Sequence, residues 1–195
     1  MKTNTDYIRT FLGDREEETP LFSDSEISAL LLKHRIRRLT PQLASHLLAR
    51  GADCSELDGA GLLRITLKRL ANMAGSYDSG VGHWLEGSCA VSIDGVPYEL
   101  AAGDEIDYVA GTVTLATPPA EEARVTVDTY LVDLKGVLAE LLQILRSSRA
   151  RLALKANLSG LSVDLTEISQ RLEREIEELS TGYDMPHPAP EDYPH

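Results

Sequence analysis

The spacing of apolar residues changes twice along this 195-residue chain, and those two changes constrain the fold more than any single motif. Up to about residue 73 the apolar side chains recur every three or four positions, the period of an amphipathic helix. From Cys89 they alternate: Cys89, Val91 and Ile93 point one way and polar or small neighbours the other, as on a half-buried strand. From Leu134 the helical spacing returns. A chain patterned in this way folds as helices flanking a β segment.

Punctuation marks refine the boundaries. Ser23 and Glu26 form an S-x-x-E capping box ahead of the stripe Ile27, Leu30 and Leu31. Thr40 is an N-cap with Pro41 at the first helical position and Gly51 as a stop, bracketing a helix that buries Leu43, Ala44, Leu47 and Leu48. A third helix is expected from Ser55 to Met73, on Leu63, Leu67 and Leu70 with Leu62 and Ile65, although Gly59 and Gly61 weaken its first turns. The run Gly75-Ser76-Tyr77-Asp78-Ser79-Gly80 reads as loop, and Gly80-Val81-Gly82 as a flexible joint. Asp94-Gly95 is a hairpin turn between Cys89–Ile93 and a return strand with Tyr98 and Leu100. A second hairpin joins Ile106 and Tyr108 to Val113 and Leu115 through Ala110-Gly111, and Val125–Val132 is the last strand. The longest helix is expected over 134–154, and a final one, capped by Asp164 and Glu167, carries Leu165, Ile168, Leu172, Ile176 and Leu179.

The fold class expected is therefore α+β, mainly helical with about five helices, carrying an inserted antiparallel β-hairpin module. The organisation expected is an N-terminal arm (1–22), N-terminal helices (23–80), the inserted β module (81–132), C-terminal helices (133–180) packing with 23–80 as one domain, and a Pro-rich acidic tail (181–195). Tyr7, Ile8, Phe11 and Leu12 in the arm have helical spacing, so the arm is either loosely attached or docks through one amphipathic turn. The tail, with Pro186, Pro188, Pro190 and Pro194, is extended and PPII-like.

Composition narrows the function. The chain is 43% hydrophobic but only 5% aromatic, so aliphatic side chains build the core. The net charge is −12, the opposite of what counterion release on nucleic acid requires. An acidic wall would also let DNA pass without gripping it. Cys54 and Cys89 fall in different elements with no disulfide framework, as in a protein kept in a reducing cytosol. Neither a targeting segment over Met1–Glu18 nor a membrane span is expected.

The residues offer little catalytic chemistry. No G-x-G-x-x-G or P-loop pattern occurs, and no G-x-S-x-G. His34, His46, His83, His187 and His195 lack ligand spacing with each other or with Cys89, so no metal and no cofactor is expected. Asp104, Glu105 and Asp107 form the densest carboxylate cluster, read as turn and solvent-face residues rather than an acid/base pair. The basic run Lys33, Arg35, Arg37 and Arg38 reads first as a solvated face or helix C-cap, and second as a contact for phosphate or an acidic partner. Trp84 reads as a plug between the β module and helices, or as a sugar platform. The expectation is a non-enzymatic structural or assembly protein.

Three patterns carry a resemblance. The segment Asp107-Tyr108-Val109-Ala110-Gly111-Thr112-Val113-Thr114-Leu115-Ala116-Thr117-Pro118-Pro119, closing on Val125-Thr126-Val127-Asp128-Thr129-Tyr130, resembles hairpins of tailed-phage virion proteins. Short N-terminal helices open at Ser23-Asp24-Ser25-Glu26-Ile27, and a long helix is followed by Leu161-Ser162-Val163-Asp164-Leu165, a last helix and a polar tail. Together they resemble the head-tail connector (adaptor, neck) proteins of long-tailed bacteriophages. The smallest of these are purely helical, so the β module is a departure. The resemblance implies a protein made in the host cytoplasm and placed in the virion neck. It implies a homo-oligomeric ring of about twelve copies bound to a portal protein and a tail-side neck or stopper protein. DNA would pass through its channel without sequence-specific binding, and no membrane is involved. Terminal segments grip partners in that family, which makes Tyr183, Met185, Pro186, Pro188 and Tyr193 the candidate partner contacts. The competing readings are a tail-completion or baseplate piece, a glycan-binding module using Trp84 and Tyr98, and an unrecognised hydrolase.

Overall fold

The Asp94-Gly95 signal forms the turn it encodes. Both residues take left-handed backbone angles (φ 52° and 80°), the geometry of a tight two-residue hairpin loop. It joins β5 (Ala90–Ile93) to β6 (Val96–Tyr98). The second hairpin also forms, between β7 (Glu105–Asp107) and β8 (Thr112–Thr114). The Asp107 carboxylate accepts the Val109 and Ala110 amides at 3.1 and 2.8 Å, which holds its loop. The last strand, β9 (Val125–Thr129), follows.

The computed structural model describes residues 3–14, 20–71, 73–148, 151–153 and 165–180. Among them are four further strands: β1 (Asp53–Glu56), β2 (Leu63–Thr66) and β3 (Lys68–Arg69) stand where a helix was expected, and β4 (Ser76–Asp78) where a loop was expected. The leucine spacing from 63 to 70 fits two periods. Leu63, Ile65 and Leu67 are buried while Arg64 and Lys68 are exposed, so the pattern used is alternation. Gly59 and Gly61 decide the matter. Both have positive φ, and a Cβ on Gly61 would lie 2.1 Å from the Ile36 carbonyl oxygen. They turn β1 back onto β2 in register Glu56↔Leu63 to Asp53↔Thr66.

The fold is thus mixed, not mainly helical with a β-hairpin insert: among the described residues six helical segments, counting 151–153, accompany nine strands in two antiparallel sheets. One sheet has the order β1-β2-β9-β5-β6, the other β3-β4-β8-β7. Their apolar faces share one cluster, including Leu63, Ile65, Tyr77, Val91, Val113 and Val127, with Trp84 fully buried in it. Helix α3 (Pro41–Ala49), capped by Thr40 as the sequence indicates, adds Leu43 and Leu47 to this cluster. Leu48, expected on the same face, is 74% exposed.

The segment Val81–Leu85 is not a flexible joint. It runs between two neighbours and bonds to both: Trp84 N–H donates to Tyr108 O (2.9 Å), and Leu85 N–H to Tyr130 O (2.7 Å). Backbones approach so closely that a Cβ on Gly82 would sit 2.0 Å from Val109 O, and one on Gly111 1.9 Å from Val81 O.

The chain divides into two compact units. Among the described residues the β unit is 35–132 together with Thr3 and Asn4, and the helical unit is drawn from 5–34 and 133–180. Residues 35–80, expected with the helices, belong to the β unit. The helical unit contains most of α1 (Asn4–Leu12), α2 (Asp24–Lys33), α4 (Leu134–Ser147) and α5 (Leu165–Ser180). Ile8 and Leu12 are buried, so the arm docks rather than hangs free. Asp14, also buried, accepts from Arg9 (2.9 Å) and the Leu21 amide (3.0 Å), and Arg9 reaches on to Phe22 O and Asp24. Helix α4 stops at Ser147, short of the expected 154, because Ser148 turns extended and its carbonyl and hydroxyl accept from the Leu152 and Arg151 amides. Leu172 and Ile176 of α5 are buried, and Arg146 of α4 pairs with Glu173 at 3.0 Å. The expected Asp164 cap lies outside the described residues.

The Ser23–Glu26 capping box forms in full. Glu26 also accepts from Arg151 at 2.6 Å, and the Arg151 guanidinium lies 4.4 Å from the Phe22 ring centre. Chiefly the Arg151 bond, then the Ser23 amide, lowers the Glu26 carboxyl to about 2. Its stabilising effect is complete above the unfolded value of 4.5 and is lost as pH falls toward 2. Glu26→Gln should destabilise the protein at neutral pH by about 1 kcal/mol, discounted for solvent exposure. Denaturant unfolding followed by circular dichroism should show the gap to wild type closing near pH 2. A second comparison isolates the backbone crossing. Gly111 and Gly87 have the same φ (74° and 73°), but nothing lies within 4 Å of a Cβ on Gly87. Gly87→Ala should cost about 1 kcal/mol and Gly111→Ala about 3 kcal/mol or more, read by the fluorescence of buried Trp84 during urea unfolding.

Candidate interaction surface

The residues singled out for chemistry are mostly spent on the fold. Trp84 has 0% exposure, and the Tyr98 hydroxyl donates to Asp104 at 2.9 Å. A sugar platform built on Trp84 is therefore not present. Asp104 works as a staple: its carboxylate accepts the Ala101 amide (2.7 Å), the Ala116 amide (2.7 Å) and the Tyr98 hydroxyl. The two backbone bonds lower its carboxyl from the ordinary value, and Asp104 in turn raises the Tyr98 phenol. Asp107 holds its own loop, and Glu105 is exposed on β7.

The basic run separates into different roles. Lys33 and His34 both bond Glu140 of α4, at 2.6 and 2.8 Å, and Lys33 first and His34 second lower that carboxyl. Arg35 stacks 4.2 Å from the Tyr130 ring centre. Arg37 and Arg38 are exposed beside the β1–β2 hairpin, where Ile36 and Arg37 face Gly61 and the Leu39 amide bonds Glu56.

Both cysteines are half-buried thiols. Burial raises Cys54, and raises Cys89 to about 11 despite a 3.1 Å contact with the Thr129 hydroxyl. A thiol at that value is protonated at neutral pH and a poor nucleophile. Among the described residues no group of three or more His, Cys, Asp or Glu is placed to hold a metal, and no helix is long and apolar enough to cross a membrane. The candidate partner contacts Tyr183, Met185, Pro186, Pro188 and Tyr193 lie outside the described residues.

What the β unit does present is two unlike edges. Strands β1 and β3 end their sheets on one side, and β2 runs into β3 through Leu67, which places these edges together. Strands β6 and β7 end the sheets on the other side, joined by the loop that Asp104 staples. Residues 35–69 hold seven Lys or Arg against three Asp or Glu; residues 70–123 hold nine Asp or Glu and no Lys or Arg. The β6/β7 side, with Glu99, Asp104, Glu105 and Asp107, is thus acidic, whereas edge strand β1 carries Asp53 and Glu56 and edge strand β3 carries Lys68 and Arg69. The acidic side is not apparent from the net charge, although the stretch empty of basic residues is visible in the sequence. On the acidic side Val96 is 66% exposed and Leu100 43%. Pro97 removes a donor from edge strand β6, so this edge is a poor template for adding another strand.

Asp104→Ala should release that acidic edge without unfolding the unit. The amides of Ala101 and Ala116 should exchange hydrogen about tenfold faster while those of β9 keep their protection; unchanged rates at 101 and 116 would contradict the staple.

No known protein family, curated protein or solved structure matches the chain.

Proposed function

We propose that this chain is a non-enzymatic head-tail adaptor of a tailed-phage virion. It assembles as a ring below the portal, joins head to tail and leaves a channel for DNA. The observation that carries the reading is the chain layout. A helical unit is built from both flanks, Thr5–His34 and Asp133–Asp184, with 35–132 as a single insertion between them. The insertion ends meet: Asp133 N–H donates to His34 O at 3.0 Å, and Arg35 bridges Val132. This layout supports a connector whose helices form one body while the β module is an addition to it, as the sequence patterns suggest.

Two further features support the reading. The Asp107–Pro119 segment that resembles virion hairpins contains the turn and return strand of the β7–β8 hairpin, and Val125–Tyr130 contains the central strand β9. The net charge of −12 suits a wall along which DNA moves, because clustered cations would bind phosphate and slow it. Another structural role in the same virion, in tail completion or the baseplate, is the alternative.

The test is the native mass and two-dimensional particle averages of the purified protein, with and without a portal ring. Closed rings that bind the portal are the expected result. A protein that ignores the portal under all conditions is not an adaptor, whatever its own oligomeric state.

A further inference from the structure

We infer that the acidic segment Glu191-Asp192-Tyr193 docks on the arginine run Arg35-Ile36-Arg37-Arg38 of the same chain, as a latch that a partner of the tail must displace. The inference goes beyond the adaptor reading and does not rest on it. Its evidence is the fold around the run and the charge of the tail.

The fold holds the run outward. Ile36 N–H donates to Leu131 O at 2.9 Å and Arg35 bridges Val132, so this stretch is extended. Ile36 packs against the core of the β unit. Side chains alternate along an extended backbone, so Arg35 and Arg37, on either side of Ile36, leave on the face away from that core. Arg37 and Arg38 are exposed.

The carboxylates beside the run are already committed. Asp58 accepts the Ala60 and Leu62 amides at 2.8 and 2.9 Å and the Tyr130 hydroxyl at 3.0 Å. Glu56 accepts the Leu39 amide at 3.3 Å. Arg35 stacks on Tyr130, and its Nε is buried without a hydrogen bond. Elsewhere arginines meet carboxylates: Arg64 grips Asp128 with two bonds of 2.7 and 2.6 Å. Among the described residues no ion pair reaches Arg37 or Arg38. Two guanidinium forks are thus left facing solvent, and their geometry fits a carboxylate.

The tail supplies that carboxylate. From Glu175 to His195 the chain holds six Asp or Glu and no Lys or Arg. Glu191 and Asp192 are adjacent, and Tyr193 follows with a ring that can cover a guanidinium. Helix α5 ends at Ser180, ten residues before Glu191. A Pro-rich spacer of that length reaches about 31 Å at about 3.1 Å per residue. Tethering selects the tail over a free partner. Exposed ion pairs are individually weak, so a free acidic segment would fill the run only at high concentration. A short tether supplies an effective concentration of about a millimolar. The net charge of −12 repels nucleic acid and other acidic chains as they approach, and a tethered segment makes no such approach. A contact of this strength holds the tail in the free protein and yields to a partner with a larger interface.

The test uses the full chain labelled with nitrogen-15. Relaxation of the Glu191, Asp192 and Tyr193 amides reads whether the tail is held. In wild type they should be ordered at low salt and released at about 1 M salt, where the screening length falls to about 3 Å. Two charge-reversed variants, Arg37→Glu with Arg38→Glu and Glu191→Lys with Asp192→Lys, should each lower the docked fraction about tenfold. Combining all four substitutions should restore docking, which a misfolded protein could not do, and the β9 amide shifts should stay native throughout. A tail as mobile in wild type as in the variants overturns the latch. So does a tail that stays ordered after reversal at 37 and 38, or a combined variant with native β9 shifts and a loose tail. The docked fraction should not change with protein concentration; ordering that appears only at high concentration assigns the tail to another copy and overturns docking within one chain. A single-stranded oligonucleotide should leave the Arg37 and Arg38 amides unshifted. Binding of the oligonucleotide there, in a chain whose tail is mobile, assigns the run to phosphate instead.

Discussion

The crossing of Val81–Leu85 between Tyr108–Gly111 and Tyr130–Val132 is the constraint on which the β unit depends. Two glycines make it possible, since side chains at 82 or 111 would collide with carbonyl oxygens. Once the backbones are this close, Trp84 is carried into the middle of the shared core and both sheets are bonded to one strand of chain. A large aromatic at the centre and two glycines beside it are complementary requirements. The glycines provide the approach, and the indole fills the volume between sheets that small aliphatic side chains would leave open.

The helical unit is organised by a different principle. Its apolar stripes set which faces are buried, but ion pairs near helix ends and loops fix how the segments join. Arg9 and buried Asp14 close the turn after α1, Arg151 clasps the start of α2, and Lys33 with His34 binds α4 through Glu140. Asp14 is the member of this set whose removal would leave a cation without its buried partner, the costly case for an ion pair. The last two links tie 5–34 to residues more than a hundred positions later in the chain, and so make the β unit an insertion rather than a neighbouring bead.

Topology gives the β unit two sides. The fold sends β1 and β3 to one side of both sheets and β6 and β7 to the other, because β2 continues into β3 and β6 leads into β7, so each change of sheet stays on its own side. Glu99, Asp104, Glu105 and Asp107, from a stretch of sequence without Lys or Arg, are thereby gathered along the β6/β7 side.

Local signals were legible wherever short-range sterics decide the conformation. The capping box at Ser23–Glu26, the Thr40-Pro41 helix start, the Asp94-Gly95 turn and the Asp107 loop were all readable from a few adjacent residues. The helix expected over 55–73 failed because Leu63 and Leu67 satisfy both a four-residue and a two-residue repeat, and the turn at Gly59 and Gly61 together with pairing to β9 breaks the tie. The expected burial of Leu48 failed for a related reason: an apolar stripe predicts a face, but the width of that face is set by what covers it. The sequence by itself determined the caps, the turns and the alternating strands, which depend on local backbone preference and on period. Tertiary structure alone decided the count of strands, the sharing of one core by two sheets, the glycine crossing around Trp84 and the gathering of carboxylates along the β6/β7 side, because each rests on contacts between residues far apart in the chain.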